Sequence, residues 1–340
     1  MKNIKFIIKL LTLYLFIFLI SCYNGSDDES DGKNHSNNSE ERNDSAIRLT
    51  FSEYPASCQN PTFSPDGNYI LFTRFTKGYN TGPSELVKIN ISTLEETIII
   101  PAIIDADHVN VPGTSWINNK ICWASDRDGA SDEIFISDDD GTNIIKLTDH
   151  PESIGYYIEP VFNPLNIDKL VFEYGPSDTE PHKLAIVERD KSNKVTYLTS
   201  GTTYDDRLPN WSHDGTKICF QRTITGTDNW QIYTAEIDYS GIDPVLININ
   251  KIDQPDAHNT DNSWYYDDSL ILSSSDYNIE MPNIYAFDLT DDSFIRITSS
   301  DTNEDGAPSC SPDGKYIAFE SHLGQDEDTP SEIYILELKD

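Results

Sequence analysis

From residue 46 onward, short apolar runs of three or four residues alternate with polar turns rich in Gly, Pro, Asn and Asp. An aromatic opens each cycle: Phe63, Trp116, Phe162, Trp211 and Trp264, with Cys310 in the same place in a sixth copy, so that the unit recurs every 46 to 53 residues. A second apolar run follows within a few residues: Ile70-Leu71-Phe72, Ile121-Cys122-Trp123, Leu170-Val171-Phe172, Ile218-Cys219-Phe220, Leu270-Ile271-Leu272 and Ile317-Ala318-Phe319. A third strand is seen at Glu133-Ile134-Phe135-Ile136 and Glu332-Ile333-Tyr334-Ile335. A fourth often ends in Leu-Thr or Ile-Thr, as at Leu147-Thr148, Leu198-Thr199 and Ile297-Thr298. Runs this short, rich in β-branched and aromatic side chains, read as strands. Self-similarity at a fixed period of this size marks a repeat architecture. The expected fold is all-β: a six-bladed β-propeller of four-stranded blades.

The sixth copy stops after its third strand, whereas Ile47-Arg48-Leu49-Thr50, ahead of the first copy, has the pattern of a fourth strand. The N-terminal strand is therefore expected to complete the last blade, which closes the ring and covers an otherwise open sheet edge.

The turns Ser64-Pro65-Asp66-Gly67 and Ser311-Pro312-Asp313-Gly314, the variant Ser212-His213-Asp214-Gly215, and the stretch Ala124-Ser125-Asp126-Arg127-Asp128-Gly129 resemble the TolB-type, WD-like propeller repeat. The resemblance covers all six copies. It departs from TolB at the N-terminus, where TolB has an α/β domain and this chain has a short polar segment, so TolB's partner-binding role does not carry over.

Lys2 and Lys5 precede an apolar run from Phe6 to Ile20, broken by Lys9, which is too short for a comfortable membrane span and reads as an export signal over residues 1–21. Its end, Leu19-Ile20-Ser21-Cys22, resembles a bacterial lipobox, which makes Cys22 the expected lipid-attachment residue. Residues 22–45 are almost free of apolar side chains and are expected to form a disordered tether ahead of a propeller over 46–340. The acidic cluster Asp27-Asp28-Glu29 resembles a surface-export signal of Bacteroidetes lipoproteins. The expected location is thus the outer membrane, facing the periplasm or the exterior.

With 58 acidic and 24 basic residues the formal charge is −34, which repels nucleic-acid backbones and excludes them as partners. The acidic turn Asp138-Asp139-Asp140-Gly141 has hard oxygen ligands but no calcium-loop spacing, and reads as a strand connection. Of the five cysteines, Cys122, Cys219 and Cys310 fall on core positions of separate copies and are expected as buried free thiols, with Cys58 in the loop entering the first blade.

In an antiparallel blade the first-to-second and third-to-fourth connections lie at one end and are short here. The second-to-third and blade-to-blade connections lie at the other end and are long, as from Gly175 to His182 and from Asp253 to Asn262. Long loops on a rigid scaffold carry function, so that face is the expected site. Gln59, His108, Glu159, Arg207, His258 and Asp305 precede the six first strands and are candidates for the channel rim. Tyr79, Trp230 and Tyr277 in the outer loops are candidates for stacking on a sugar or a peptide side chain. Trp116, Trp211 and Trp264 recur at the period of the repeat and belong to inter-blade packing.

Two functional classes remain. The leading one is a monomeric, non-catalytic binding or scaffold module, without a cofactor, for an envelope protein, peptide or glycan, held to the membrane through Cys22. The alternative comes from a further resemblance: oligogalacturonate lyases are TolB-like propellers that hold a metal through histidines at the channel mouth. By that resemblance His108 and His258 would hold Mn or Ca with help from Glu159 or Gln59. A prolyl-peptidase reading lacks a Gly-x-Ser-x-Gly nucleophile elbow, and neither a phosphate loop nor a His-Glu-x-x-His helix occurs.

Overall fold

The computed structural model describes residues 42–338 except 104–109, 130, 151–154, 178, 253–255, 280, 292 and 325–328, and leaves the side chains of 110–115 undescribed. Among the described residues, 24 strands form six antiparallel four-stranded sheets. Blade one is Ser57–Phe63, Tyr69–Phe75, Ser84–Asn90 and Glu96–Ile100; blade three is Tyr156–Asn163, Asn166–Gly175, Lys183–Glu188 and Lys194–Tyr197. Blades two, four and five start at Asn110, Tyr204 and Asn259 and follow the same order. In blade six, Asn303–Cys310, Tyr316–Leu323 and Glu332–Glu337 are joined by Ile47–Arg48, which pairs antiparallel with the third strand through Ile47 opposite Ile335 and Arg48 opposite Tyr334.

The core is divided into six apolar clusters, each between neighbouring blades. Leu71, Leu86, Trp116, Trp123 and Phe135 join blades one and two; Val161, Leu184, Trp211 and Phe220 join three and four. The cluster of Leu49, Phe63, Phe72, Ala318 and Ile333 joins blades one and six, so the ring closes through the same kind of contact that builds it. Trp116, Trp211 and Trp264 all sit in these junctions.

The sequence signatures have local physical causes. In Ser-Pro-Asp-Gly, the Ser64 hydroxyl donates to Asp66 Oδ1 (2.7 Å) and accepts from the Tyr69 amide (2.9 Å), while Gly67 takes φ +71°, which a side chain would oppose. Ser212–Asp214 and Ser311–Asp313 repeat the contact at 2.7 and 2.8 Å. The threonine of Leu-Thr and Ile-Thr serves the third strand. Thr148, Thr199 and Thr298 each accept a backbone N–H at 2.9 to 3.0 Å, from Ile134, Leu184 and Ile284. Thr50 does the same for Ile333 at 2.9 Å and also bonds Glu332, so the N-terminal strand carries the complete fourth-strand device.

The packed unit begins earlier than the expected boundary at 46. The Arg42 and Asp44 side chains are only 4% and 8% exposed, and the compact unit runs from Arg42. Residues 1–41, with Cys22 among them, lie outside the described residues. Cys58, Cys122 and Cys219 are fully buried and outside any disulfide, and Cys310 is partly buried; burial pushes Cys58 up to about 11 and Cys310 up to about 12.

Candidate functional site at the channel mouth

The innermost strand of every blade slips register at a matching place, between Gln59 and Thr62, Pro112 and Trp116, Ile158 and Val161, Arg207 and Asn210, Thr260 and Ser263, and Gly306 and Ser309, with a second slip between Phe162 and Asn163 in blade three. A bulge inserts a residue and bends the strand. In five blades the inserted position is left-handed: Asn60, Glu159, Leu208, Asp261 and Ala307 have φ between +46° and +54°. These five residues converge on a channel cavity of about 50 Å³. That volume accepts a few waters or the tip of one side chain, far below the ~300 Å³ or more of an ordinary small-molecule pocket.

Bulging leaves a backbone N–H turned away from its own sheet, and the preceding blade supplies the acceptor. The Asn60 amide donates to Glu320 Oε2 (2.8 Å), the Leu208 amide to Glu173 Oε2 (3.0 Å), and the Asp261 amide to Gln221 Oε1 (3.0 Å). Glu173, Gln221 and Glu320 occupy one repeat position, directly after the apolar triplet. That charge following Phe172 or Phe319 was the available sequence signal for two channel carboxylates that loop position alone does not reveal.

The channel is thereby strongly acidic. Burial, then the charges of Glu173, Asp261 and Glu320, push Glu159 up to about 8. Burial, then Asp261 and Asp305, push Glu304 up to about 7; burial foremost pushes Glu320 up to about 7 and raises Asp261 as well. The nearby cations are already engaged. Arg207 makes a two-pronged pair with Asp205 (2.9 and 2.8 Å), Arg222 holds Asp206 (2.5 and 3.0 Å), and Arg42 holds Asp305 (2.9 and 2.7 Å). Asn262, 3% exposed and lining the same cavity, leaves its Oδ1 without a hydrogen-bond donor.

The other candidates are placed as follows. Gln59 is 2% exposed and accepts the Asn80 amide at 3.1 Å; Asp305 is fully buried beneath Arg42. Tyr79 is half-buried, donates to Glu320 Oε1 at 3.2 Å and packs against His322. Trp230 is 6% exposed with the Arg207 guanidinium 5.0 Å above its ring, so it presents no free face, and Tyr277 is half-buried in a perpendicular contact with Phe294. His258 Nε2 lies 3.2 Å from Asp228, and His108 falls outside the described residues. Gln59, Glu159 and Tyr79 meet around Glu320 and the channel, and His258 is near enough for its charge to act on the channel residue Asp261. Among the described residues, which exclude His108, no three His, Cys, Asp or Glu side chains are placed as a metal-ligand set.

No family model matches the chain, and none of the curated proteins compared with it does. Solved structures do match. Oligogalacturonate lyase from Vibrio parahaemolyticus aligns over 88% of this chain and 96% of its own, with TM-score 0.52 and 16% identity; an oligogalacturonate lyase in complex with manganese aligns over 87% and 93%, with TM-score 0.52 and 16% identity. The putative TolB from Agrobacterium tumefaciens aligns over 84% and 92%, with TM-score 0.55 and 15% identity. At such identities the likeness establishes the fold, a TolB-like six-bladed propeller.

Proposed function

We propose that this protein is a membrane-anchored, extracytoplasmic binding module of the cell envelope, whose channel mouth takes a cationic side chain or amine from a protein or peptide partner. The observation that carries this reading is the imbalance of charge in the channel. Burial and the charge of neighbouring carboxylates push Glu159 up to about 8 and Glu304 and Glu320 up to about 7, and burial raises Asp261, while the local arginines are committed to other carboxylates. An ammonium group entering the cavity relieves that repulsion, and the Asn262 Oδ1 acceptor adds a hydrogen bond. The narrow cavity favours a side-chain tip over a sugar ring. The loop-rich rim then provides the wider contact surface.

The anchor is part of the proposal and rests on the lipobox-like end of the signal at Cys22. No helix among the described residues is long and apolar enough to cross a membrane. Location at the outer membrane follows from the lipoprotein reading, and labelling with palmitate of the native chain, lost in Cys22→Ala, tests it.

Because a bound cation favours ionised carboxylates, binding releases protons and tightens as pH rises towards 8. Titration with pentalysine and pentaglutamate peptides at pH 6 and pH 8.5 tests the site. Pentalysine is expected to bind more tightly at the higher pH and to lose about tenfold in Glu159→Gln, a change of about 1.4 kcal/mol. Equal binding of both peptides, or pentalysine affinity indifferent to Glu159→Gln, refutes the channel as the site.

A further inference from the structure

Where blades three and four meet at the loop-rich end, three side chains form a chain of hydrogen bonds. The Tyr156 hydroxyl lies 3.1 Å from His182 Nε2, and His182 Nδ1 bonds Glu173 Oε1. The other Glu173 oxygen accepts the Leu208 amide at 3.0 Å, and the His182 amide donates to Asp205 Oδ1 at 3.1 Å, so carboxylate and imidazole are both fixed. His182 and Glu173 are 5% and 2% exposed, while Tyr156 is half-buried at the start of its strand. Gly175 makes the arrangement possible: a Cβ there would stand 2.4 Å from the Tyr156 ring.

Capping the bulge does not require this apparatus. Gln221 does the same service for the Asp261 amide with a neutral side chain. Burying a carboxylate is costly unless its charge is used, and Glu173 spends its spare oxygen on an imidazole that in turn faces a phenol. A hydroxyl in hydrogen-bond reach of a base, with that base oriented by a third group, is the signature of an activated nucleophile. Arg207 completes the surroundings, since the charges of Glu173, Asp205 and Tyr156 all strengthen its hold on its proton, and it in turn favours an anionic Tyr156 oxygen. Glu159 and Asp205 are the remaining ionisable groups at this junction named by contact or charge, with His150 packed against Tyr157 and Tyr174 on the flank.

We infer that Tyr156 is a relay-activated nucleophile that takes the acyl group of an ester, with His182 as its base and Glu173 as the group that orients the base. In the forward step the Tyr156 oxygen attacks the ester carbonyl carbon. The phenolic proton passes to His182 Nε2, the bond to the alcohol breaks, and the alcohol leaves with that proton. Water then attacks the acyl-tyrosine, giving the carboxylic acid and restoring the phenol. Glu173 stabilises the imidazolium between the two transfers, and the charge of Arg207, held by Asp205, favours the developing negative charge at the Tyr156 end of the relay. This inference is independent of cation binding in the channel, so either can fail without the other.

The test is acetylation of the full chain by 4-nitrophenyl acetate, followed by release of nitrophenolate and by peptide mapping. Tyr156 is expected to be acetylated at least tenfold faster than any other of the 18 tyrosines. Glu173→Gln keeps an acceptor for the Leu208 amide, as Gln221 does in its own blade, and is expected to retain the thermal midpoint while slowing Tyr156 acetylation at least tenfold. His182→Asn is expected to slow it as much, and Tyr156→Phe to abolish the label at that position without altering lysine acetylation. Acetylation of Tyr156 no faster than that of the exposed tyrosines in the unaltered chain overturns the inference, whatever the variants do. A rate unchanged in Glu173→Gln with the fold intact reduces the relay to a structural clasp and overturns it as well.

Discussion

Glu159 is the residue at which the acidic composition of the chain becomes a local event. Its left-handed backbone turns it into the channel, where burial and three other carboxylates push it up to about 8, against an ordinary value of 4.5. Between those two values the native state holds a proton that the unfolded chain has lost. Stability must therefore fall as pH rises from about 4.5 to about 8 and level off above that. Glu159→Gln removes this contribution, so its thermal midpoint should lie close to the parent's at pH 5 and above it at pH 8.5. A pH series of melts in which both proteins slope alike contradicts the placement of Glu159. Arg42 is the opposite case. Its guanidinium lies under two aromatic rings, 5.1 Å from Phe319 and 5.2 Å from Tyr334, and neutralises a fully buried Asp305. Arg42→Ala strands that carboxylate, a loss of about 3–5 kcal/mol by analogy with other broken buried pairs. Urea unfolding of Arg42→Ala with a midpoint equal to the parent's would show that Asp305 is not held this way. Glu159 was singled out by its place shortly before the landmark Phe162, although the structure puts it within the first strand, at the bulge, and not ahead of it. Arg42 was not, because within a run of Ser, Asn, Asp and Glu nothing local distinguishes an arginine that docks from one that is solvated.

At the scale of strands and turns, legibility followed the repeat. Landmark aromatics, apolar triplets and Ser-Pro-Asp-Gly turns are periodic because every blade solves the same packing problem, so their strands were readable from spacing alone. The bulges were harder, since a bulge is a property of two strands in register. Their one linear trace is a proline two residues before the landmark, at Pro61, Pro160, Pro209 and Pro308, following the left-handed Asn60, Glu159, Leu208 and Ala307. Capping residues for the bulges come from the neighbouring blade, 35 and 40 residues away for Leu208 and Asp261 and 260 for Asn60, and only the ring brings them together. The outer-loop aromatics Trp230 and Tyr277 are also decided by neighbours, Arg207 and Phe294, that the local sequence does not contain. The threonine device can be tested directly. Thr298 is fully buried and accepts the Ile284 amide at 2.9 Å. Thr298→Val keeps the shape and removes the acceptor, with an expected loss of about 1–3 kcal/mol for the stranded amide, read from the urea midpoint. A neutral result would mean that water reaches that amide.

For the whole molecule, closure and charge act against each other. A formal charge of −34 on 340 residues pushes the blades apart, and the ring is held by six inter-blade clusters, one of which depends on Leu49 from the N-terminal strand. Removing residues 42–50 takes away that strand, the Thr50 cap and the Arg42–Asp305 pair together. The expected outcome is a large fall in the thermal midpoint with loss of a single cooperative transition, because blade six is left with an open edge. Salt has two opposing effects on such a ring. It weakens exposed ion pairs, each worth about 0–1 kcal/mol, and it screens the repulsion among surplus acids over the whole surface. The strongest pairs here, Arg42 with Asp305 and Arg222 with Asp206, are nearly buried and little screened, so the repulsion is the part that salt removes. The midpoint should therefore rise between 20 mM and 500 mM sodium chloride, and rise further in the chain lacking 42–50, where one junction no longer resists the repulsion. A midpoint that falls with salt in both proteins would place exposed ion pairs, and not closure of the ring, at the centre of this protein's stability.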